Sequence, residues 1–232
     1  EENCLVGKNG SGTIFISNCC MNCIYCQNSE ISQEGLGNYK EIEEIAEIMI
    51  ELQEKGAHNI NWVSPTHFTP QLVKALKKAK NLGLKIPIVY NTGGYDSLNI
   101  IKKLRGLIDI YMPDMKYGSN EKALRYSNAN NYWTLNKKAV KEMYKQVVSL
   151  KIEDGIAQKG LLVRHLVLPN NLAESEKILK FLANEISLDT YINIMKQYYP
   201  SYKAKNYKEL NRRIENSEYL KVIEKAQELG LY

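Results

Sequence analysis

Residues 59–83 read Asn-Ile-Asn-Trp-Val-Ser-Pro-Thr-His-Phe-Thr-Pro-Gln-Leu-Val-Lys-Ala-Leu-Lys-Lys-Ala-Lys-Asn-Leu-Gly, one complete strand–helix unit. Asn59–Ser64 is a short, largely apolar run closed by Pro65, the pattern of a strand buried on both faces. Thr69 and Pro70 supply an N-cap and a first-turn proline. Leu72, Leu76 and Ala79 then keep the helical period, and Gly83 stops it.

The same alternation extends in both directions. Further strands are expected at Thr13–Ser17, Ile86–Asn91, Ile108–Pro113, Leu161–Leu168 and Tyr191–Met195. Ile42, Ile45, Ala46, Met49 and Leu52 mark a helix ending at Gly56. More helices are expected at Leu98–Leu104, around Val140–Leu150, around Ile178–Leu182 and around Leu220–Leu229. Without an internal repeat, low-complexity tract or linker, residues 1–232 read as one domain. Six strand–helix units predict a parallel sheet with helices outside, either doubly wound or an incomplete barrel.

Polar residues favour the barrel. They collect at the carboxyl ends of the expected strands, where βα architectures build their sites: Ser64, Thr66 and His67; Asn91 and Thr92; Asp114 and Lys116; Asn170 and Asn171; Gln197 and Tyr198. Met112, Asp114 and Lys116 share one parity and so one face of the fourth strand.

Composition excludes the other large classes. The 232 residues are 44% hydrophobic and 25% charged, with 31 basic against 26 acidic residues and a net charge of +5. The charge is spread, and Lys74, Lys77, Lys78 and Lys80 fit a solvated helix face, so nucleic acid is not expected as a partner. No apolar run reaches bilayer length and the start carries no signal-peptide pattern, so neither membrane nor export is expected.

Four of the five cysteines, Cys19, Cys20, Cys23 and Cys26, fall within eight residues. Thiols this close do not pair easily, so they read as a metal site in a reducing compartment, here the cytoplasm. Two triplets are available. Cys20, Cys23 and Cys26 open like a bacterial ferredoxin site, but position 30 is Glu30 rather than a fourth cysteine. Cys19, Cys23 and Cys26 give C-x3-C-x2-C with aromatic Tyr25 before the last cysteine. Structural zinc would need a fourth ligand from Cys4, the spare of Cys19 and Cys20, or three scattered histidines.

C-x3-C-x2-C, in a loop after a first strand, resembles the motif of the radical S-adenosylmethionine (SAM) superfamily. The rest of the chain resembles its pyruvate formate-lyase activating enzyme-like branch, through Gly10–Phe15, Cys26-Gln27-Asn28, Gly56–Pro70, Ile86–Asp96, Asp109–Tyr117, Gly160–Asn170 and Asn193–Pro200. The resemblance implies an α/β fold, a partial (β/α)6 TIM-like barrel. It also implies a [4Fe-4S] cluster on Cys19, Cys23 and Cys26, with SAM on the remaining iron. Electron transfer into the sulfonium would yield a 5′-deoxyadenosyl radical that takes hydrogen from a substrate. A low-potential donor, flavodoxin or ferredoxin, is implied as a partner, and a glycyl radical enzyme or other polypeptide as substrate.

The resemblance also assigns SAM-side roles to Tyr25, Thr66, Asn91, Thr92, Asp114, Lys116 and Arg164. Pro65-Thr66-His67 stands where many relatives place Gly-Gly-Glu, a departure. Asn91 and Thr92, with Met112 and Asp114, match a monovalent-cation site beside SAM, although Asn91 replaces an Asp. Lys116 and Arg164 match basic residues near the SAM carboxylate and ribose. Asn18 and Cys20 replace the usual Gly and polar neighbours of the first cysteine. Cys20 and Cys4 are expected as bystanders, and His58 and His165 as core or surface residues. Tyr111, Tyr126, Tyr132 and Tyr198 could reach the cavity, but aromatic residues in barrels are usually packing, and none of them is assigned to the site. The chain starts at Glu1 without an initiator Met, so it is expected to be part of a longer product; relatives often carry a further cysteine-containing segment ahead of this core.

The competing readings are a radical SAM enzyme acting on another peptide or a small molecule, an iron–sulfur electron carrier, and a zinc module. An electron carrier has no need of Lys116, Arg164 and the polar strand ends.

Overall fold

A computed structural model describes residues 2–231. Along the chain lie α1 (Asn3–Val6), β1 (Gly12–Phe15), α2 (Ser29–Ser32), α3 (Ile42–Glu54), β2 (Ile60–Val63), α4 (Thr69–Asn81), β3 (Ile88–Thr92) and α5 (Leu98–Lys103). Then follow β4 (Ile110–Pro113), α6 (Asn120–Ser127), α7 (Tyr132–Val147), β5 (Lys151–Glu153), β6 (Ile156–Leu166), α8 (Ser175–Glu185), β7 (Tyr191–Met195) and α9 (Asn216–Glu228).

The strands β1, β2, β3, β4, β6 and β7 pair in that order, all parallel. Among the described residues β7 and β1 do not pair, so the sheet stays open. This is the partial (β/α)6 TIM-like barrel of the sequence reading.

Most expected strands differ from the observed ones by one or two residues at an end, and two elements differ by more. β6 starts at Ile156, not Leu161, because its first residues pair antiparallel with β5 across a turn at Asp154 (φ 50°) and Gly155 (φ 81°). Two left-handed residues in a row suit a tight hairpin, and polar Gln158 and Lys159 hide the strand in the sequence. The helix expected around Val140–Leu150 begins at Tyr132 and stops before Val148, whose φ of 56° breaks it.

Alternation along the strands separates two apolar layers. Trp62, Tyr90, Tyr111, Leu161 and Val163 face the helices, each 0% exposed, beside Leu72, Leu76 and Ala79 of α4. Truncating a leucine there costs about 2–5 kcal/mol. The opposite parity, Val89, Ile110, Met112 and Leu162, fills the interior with Cys4 and Leu5 of α1. Asn59 Nδ2 ties α1 down through the Leu5 carbonyl at 2.8 Å. Cys4 is thus a small buried group in the interior layer.

Candidate functional site

The site begins where β1 ends. Asn18 adopts φ 68°, a left-handed conformation that Asn tolerates better than most side chains. The chain then turns across the carboxyl ends of the strands. Its peptide groups are held by the C-terminal turn of α6: Asn22 N donates to the Ser127 carbonyl at 2.9 Å and Ile24 N to the Tyr126 carbonyl at 3.0 Å. Gln33 Nε2 donates to the Met21 carbonyl at 3.2 Å.

This loop places Cys19, Cys23 and Cys26 on the wall of one cavity of about 250 Å³. Cys20 does not line it; its Sγ turns to the Tyr95 carbonyl at 3.8 Å. The cysteine sulfurs have polar neighbours of their own. Met21 N donates to Cys19 Sγ at 3.4 Å, Ser127 Oγ to Cys23 Sγ at 3.0 Å, and Ser32 Oγ lies 3.1 Å from Cys26 Sγ. A hydrogen bond from Cys20 brings the Cys19 thiol down to about 6. Burial pushes Cys23 up to about 11, against the pull of Lys116 and Ser127.

The same cavity is lined by Asn91, Thr92, Asp114, Lys116 and Arg164, from the ends of β3, β4 and β6. Asp114 accepts from Lys116 Nζ at 2.6 Å and from Arg164 Nε at 2.9 Å. Arg164 Nη2 also donates to Asn91 Oδ1 at 2.7 Å. Burial raises the Asp114 carboxyl, but Arg164 and Lys116 outweigh it and hold it below the usual range. Burial lowers the Lys116 ammonium, while Asp114 and Cys23 more than restore it. Two cations share one carboxylate, which leaves a net positive charge in the cavity that the cysteines line.

Other predicted residues are placed differently. Thr66 is absent from the cavity lining; its Oγ1 donates to Asp96 Oδ1 at 2.8 Å. Thr92 Oγ1 donates to the other Asp96 oxygen at 2.6 Å, and Tyr90 adds a third donor at 3.1 Å. Asp96, 1% exposed, escaped the sequence reading because it follows the strand end by four residues. The signal was there: Gly93-Gly94 precedes it, and a Cβ on Gly94 would meet Asn136 Nδ2 and the Asp114 carbonyl at 2.2 Å. Burial raises the Asp96 carboxyl despite its three hydroxyl donors.

Tyr25 does line the cavity, with its ring edge-on to Tyr117 (6.4 Å) and Tyr198 (5.8 Å). Tyr126, Tyr132 and Tyr198 lie in the apolar cluster packed with the cysteine loop and are not part of the cavity wall. Tyr111 faces the helices, where its hydroxyl donates to Gln146 at 2.9 Å. His58 accepts from Asn9 N and His67 meets the Ser17 carbonyl. His165 is buried between the Met115 carbonyl and Ser175 Oγ. None of these histidines reaches the cavity, and among the described residues its one carboxylate, Asp114, is already bonded to Lys116 and Arg164, so a four-ligand zinc site is poorly served there. Three thiols facing a roomy, cationic cavity suit a cluster with one iron left for an anionic, non-protein ligand.

An open six-stranded parallel barrel with three cysteines at its carboxyl rim defines a class of cluster-carrying α/β proteins. The Radical SAM superfamily model matches residues 13–182, and the chain belongs to that superfamily. It is 34% identical over 239 residues to an uncharacterized protein of Methanocaldococcus jannaschii, covering 100% of this chain and 65% of that protein. Among solved structures it is similar to the FeFe-hydrogenase maturase HydG from Carboxydothermus hydrogenoformans: TM-score 0.62, 18% identity, 94% of this chain and 51% of that one. Streptococcus suis SuiB bound to precursor peptide SuiA gives TM-score 0.60, 12% identity, 95% and 46%. Native anSMEcpe with bound AdoMet gives 0.57, 12%, 93% and 60%. The chain spans about two thirds of the curated relative and roughly half of these structures, and the latter likeness is one of fold.

Proposed function

We propose that this chain is a radical SAM enzyme core, residues 1–232, working in the cytoplasm with a low-potential flavodoxin or ferredoxin as donor. The observation that carries the reading is the single cavity that Cys19, Cys23 and Cys26 share with Asp114, Lys116 and Arg164. A [4Fe-4S] cluster on these cysteines, with SAM at its open iron, supplies reductive C–S cleavage and hydrogen abstraction.

The chain's own residues do the rest. Lys116 and Arg164 present positive charge to the SAM carboxylate and ribose, and Asp114 fixes both cations in place. Tyr25 closes the cavity against the aromatic cluster behind the loop, and Asn91 and Thr92 form its polar wall. Thr66 acts through Asp96, holding Thr92 in position. Arg164 already occupies the oxygens of Asn91 and Asp114 that a monovalent cation would share, so the guanidinium takes that cation's place here.

The substrate we assign is a polypeptide, with a glycine of a glycyl radical enzyme as the case implied by resemblance. Support comes from the unpaired β1 and β7 edges, beside which Phe15, 49% exposed, and Met195 flank the cavity. A partner's loop can fill that side and seal it, whereas a small metabolite would leave it open to water. SuiB is a structural neighbour solved with a peptide.

Anaerobic reconstitution tests the core reading. The reduced protein is expected to convert SAM to methionine and 5′-deoxyadenosine. Lys116→Ala or Arg164→Ala should weaken SAM binding while the cluster still assembles. Unchanged SAM affinity in both would remove them from the site. For the substrate, a SAM-dependent glycyl signal in electron paramagnetic resonance (EPR), on a glycyl radical enzyme from the same source, supports the activase. Turnover stimulated only by a small molecule refutes it.

A further inference from the structure

Among the three cysteines, Cys23 alone receives a hydroxyl hydrogen bond that nothing else claims. Ser127 Oγ donates to Cys23 Sγ at 3.0 Å, across 104 residues of sequence. A serine hydroxyl has one hydrogen, so the 2.7 Å contact between Ser127 Oγ and Tyr117 Oη must have tyrosine as donor. The result is a directed chain, Tyr117 O–H to Ser127 O–H to Cys23 Sγ. Ser127 and Tyr117 are each 0% exposed.

The neighbouring cysteines lack this arrangement. Cys19 receives the longer Met21 N–H contact at 3.4 Å and a hydrogen bond from the neighbouring Cys20 thiol, but no hydroxyl. Ser32 lies beside Cys26, but its hydroxyl donates to the Asn28 carbonyl at 2.5 Å. Ser127 is also fixed from both sides. It is the last residue of α6, stopped by Asn128 in the left-handed conformation (φ 49°), and its own carbonyl accepts from Asn22 N. A serine in a last helical turn ordinarily bonds back to its own helix. This one aims out at a sulfur.

We propose that Ser127, backed by Tyr117, is a positioning residue that sets the reduction potential of the group held at Cys23. The inference rests on the reading that Cys23 is a cluster ligand. A hydrogen bond to a ligating sulfur favours the more negative, reduced cluster, and hydrogen bonds to the sulfurs are among the features that set such potentials. The Tyr117 hydroxyl polarises the Ser127 hydroxyl and strengthens that effect, and burial keeps water from competing. Losing the Ser127 hydroxyl therefore makes the cluster harder to reduce.

The test is an EPR-monitored redox titration of anaerobically reconstituted wild type, Ser127→Ala, Ser127→Thr and Tyr117→Phe. Ser127→Ala is expected to hold about tenfold less reduced cluster at the same applied potential, a downward displacement of about 59 mV for one electron. Ser127→Thr, which keeps the hydroxyl, is expected to restore the wild-type value. Tyr117→Phe, which removes only the donor behind it, should move the same way by less. A Ser127→Ala midpoint equal to wild type overturns the proposal. If Ser127→Ala takes up no cluster, Tyr117→Phe decides, and an unshifted midpoint there overturns it too. A wild type that assembles no cluster instead overturns the underlying reading.

Discussion

Replacing Asp114 with Asn removes one negative charge from between two positive ones. In the native site Lys116 Nζ lies 2.6 Å from Oδ2 and Arg164 Nη2 lies 2.8 Å from Oδ1. The three side chains are only 13%, 20% and 23% exposed, so the water of the cavity replaces the lost carboxylate charge only in part. Breaking a buried ion pair by removing one partner costs about 3–5 kcal/mol, because the remaining charge is left uncompensated. Arg164 keeps its bond to Asn91, which points to the lower end, about 3 kcal/mol. For a chain of this size that is a fall in melting temperature of roughly 6–12 °C. The assay is urea unfolding of the metal-free chain in reductant, fitted for midpoint and slope. Asp114→Asn/Lys116→Met should then be more stable than Asp114→Asn alone, since the second change deletes an unpaired cation. A single-variant loss under about 1 kcal/mol, or a double variant weaker than the single, would refute the account of a carboxylate neutralising two desolvated cations.

Single Cys→Ala variants at 19, 23 and 26 are expected to lose the cluster on anaerobic reconstitution, while Cys20→Ala and Cys4→Ala retain it; iron and sulfide analysis decides. Cluster loss on Cys20→Ala with retention on Cys19→Ala would reverse the triplet. His165 is held neutral by burial, its pKa down at about 4 against an ordinary 6.5. The unfolded chain therefore protonates first as pH falls. Stability is full above about pH 6.5 and erodes toward 4, by about 2 kcal/mol at pH 5 from this group alone. His165→Gln should flatten that part of the unfolding free energy measured from pH 7 to 5, and an unaltered slope would contradict it. Asn18→Gly is expected to leave stability near wild type, because glycine adopts the left-handed φ of 68° freely. Asn18→Val should cost about 1–2 kcal/mol and lower cluster uptake, read by unfolding and iron content.

Much of the barrel was legible because its signals are local. The periodicity of Leu72, Leu76 and Ala79, stopped by Gly83, needs only the geometry of one helix, and the Tyr191–Met195 strand came out with its observed bounds. The cysteine loop was legible for the same reason, since its four cysteines sit within eight residues. The β5–β6 hairpin was not, because β5 is three exposed residues and the start of β6 that pairs with it carries Gln158 and Lys159. Nor was α6, eight residues whose place is set by the cysteine loop it holds.

Residue type and spacing by themselves determined an α/β chain of strand–helix units, a cysteine-rich loop after the first strand, and the gathering of polar residues such as Asp114 and Lys116 at strand ends. The choice of Cys19, Cys23 and Cys26, and the role of Arg164, came from resemblance. The tertiary structure decided how those groups spend their bonds. It committed Asp114 to two cations at once and set Arg164 on Asn91. It turned Thr66 to Asp96, and brought Ser127 to Cys23 across 104 residues. The physical reason is reach. A motif records which atoms are available within a turn or a strand, whereas a hydrogen bond is settled at about 3 Å by whichever groups packing brings together.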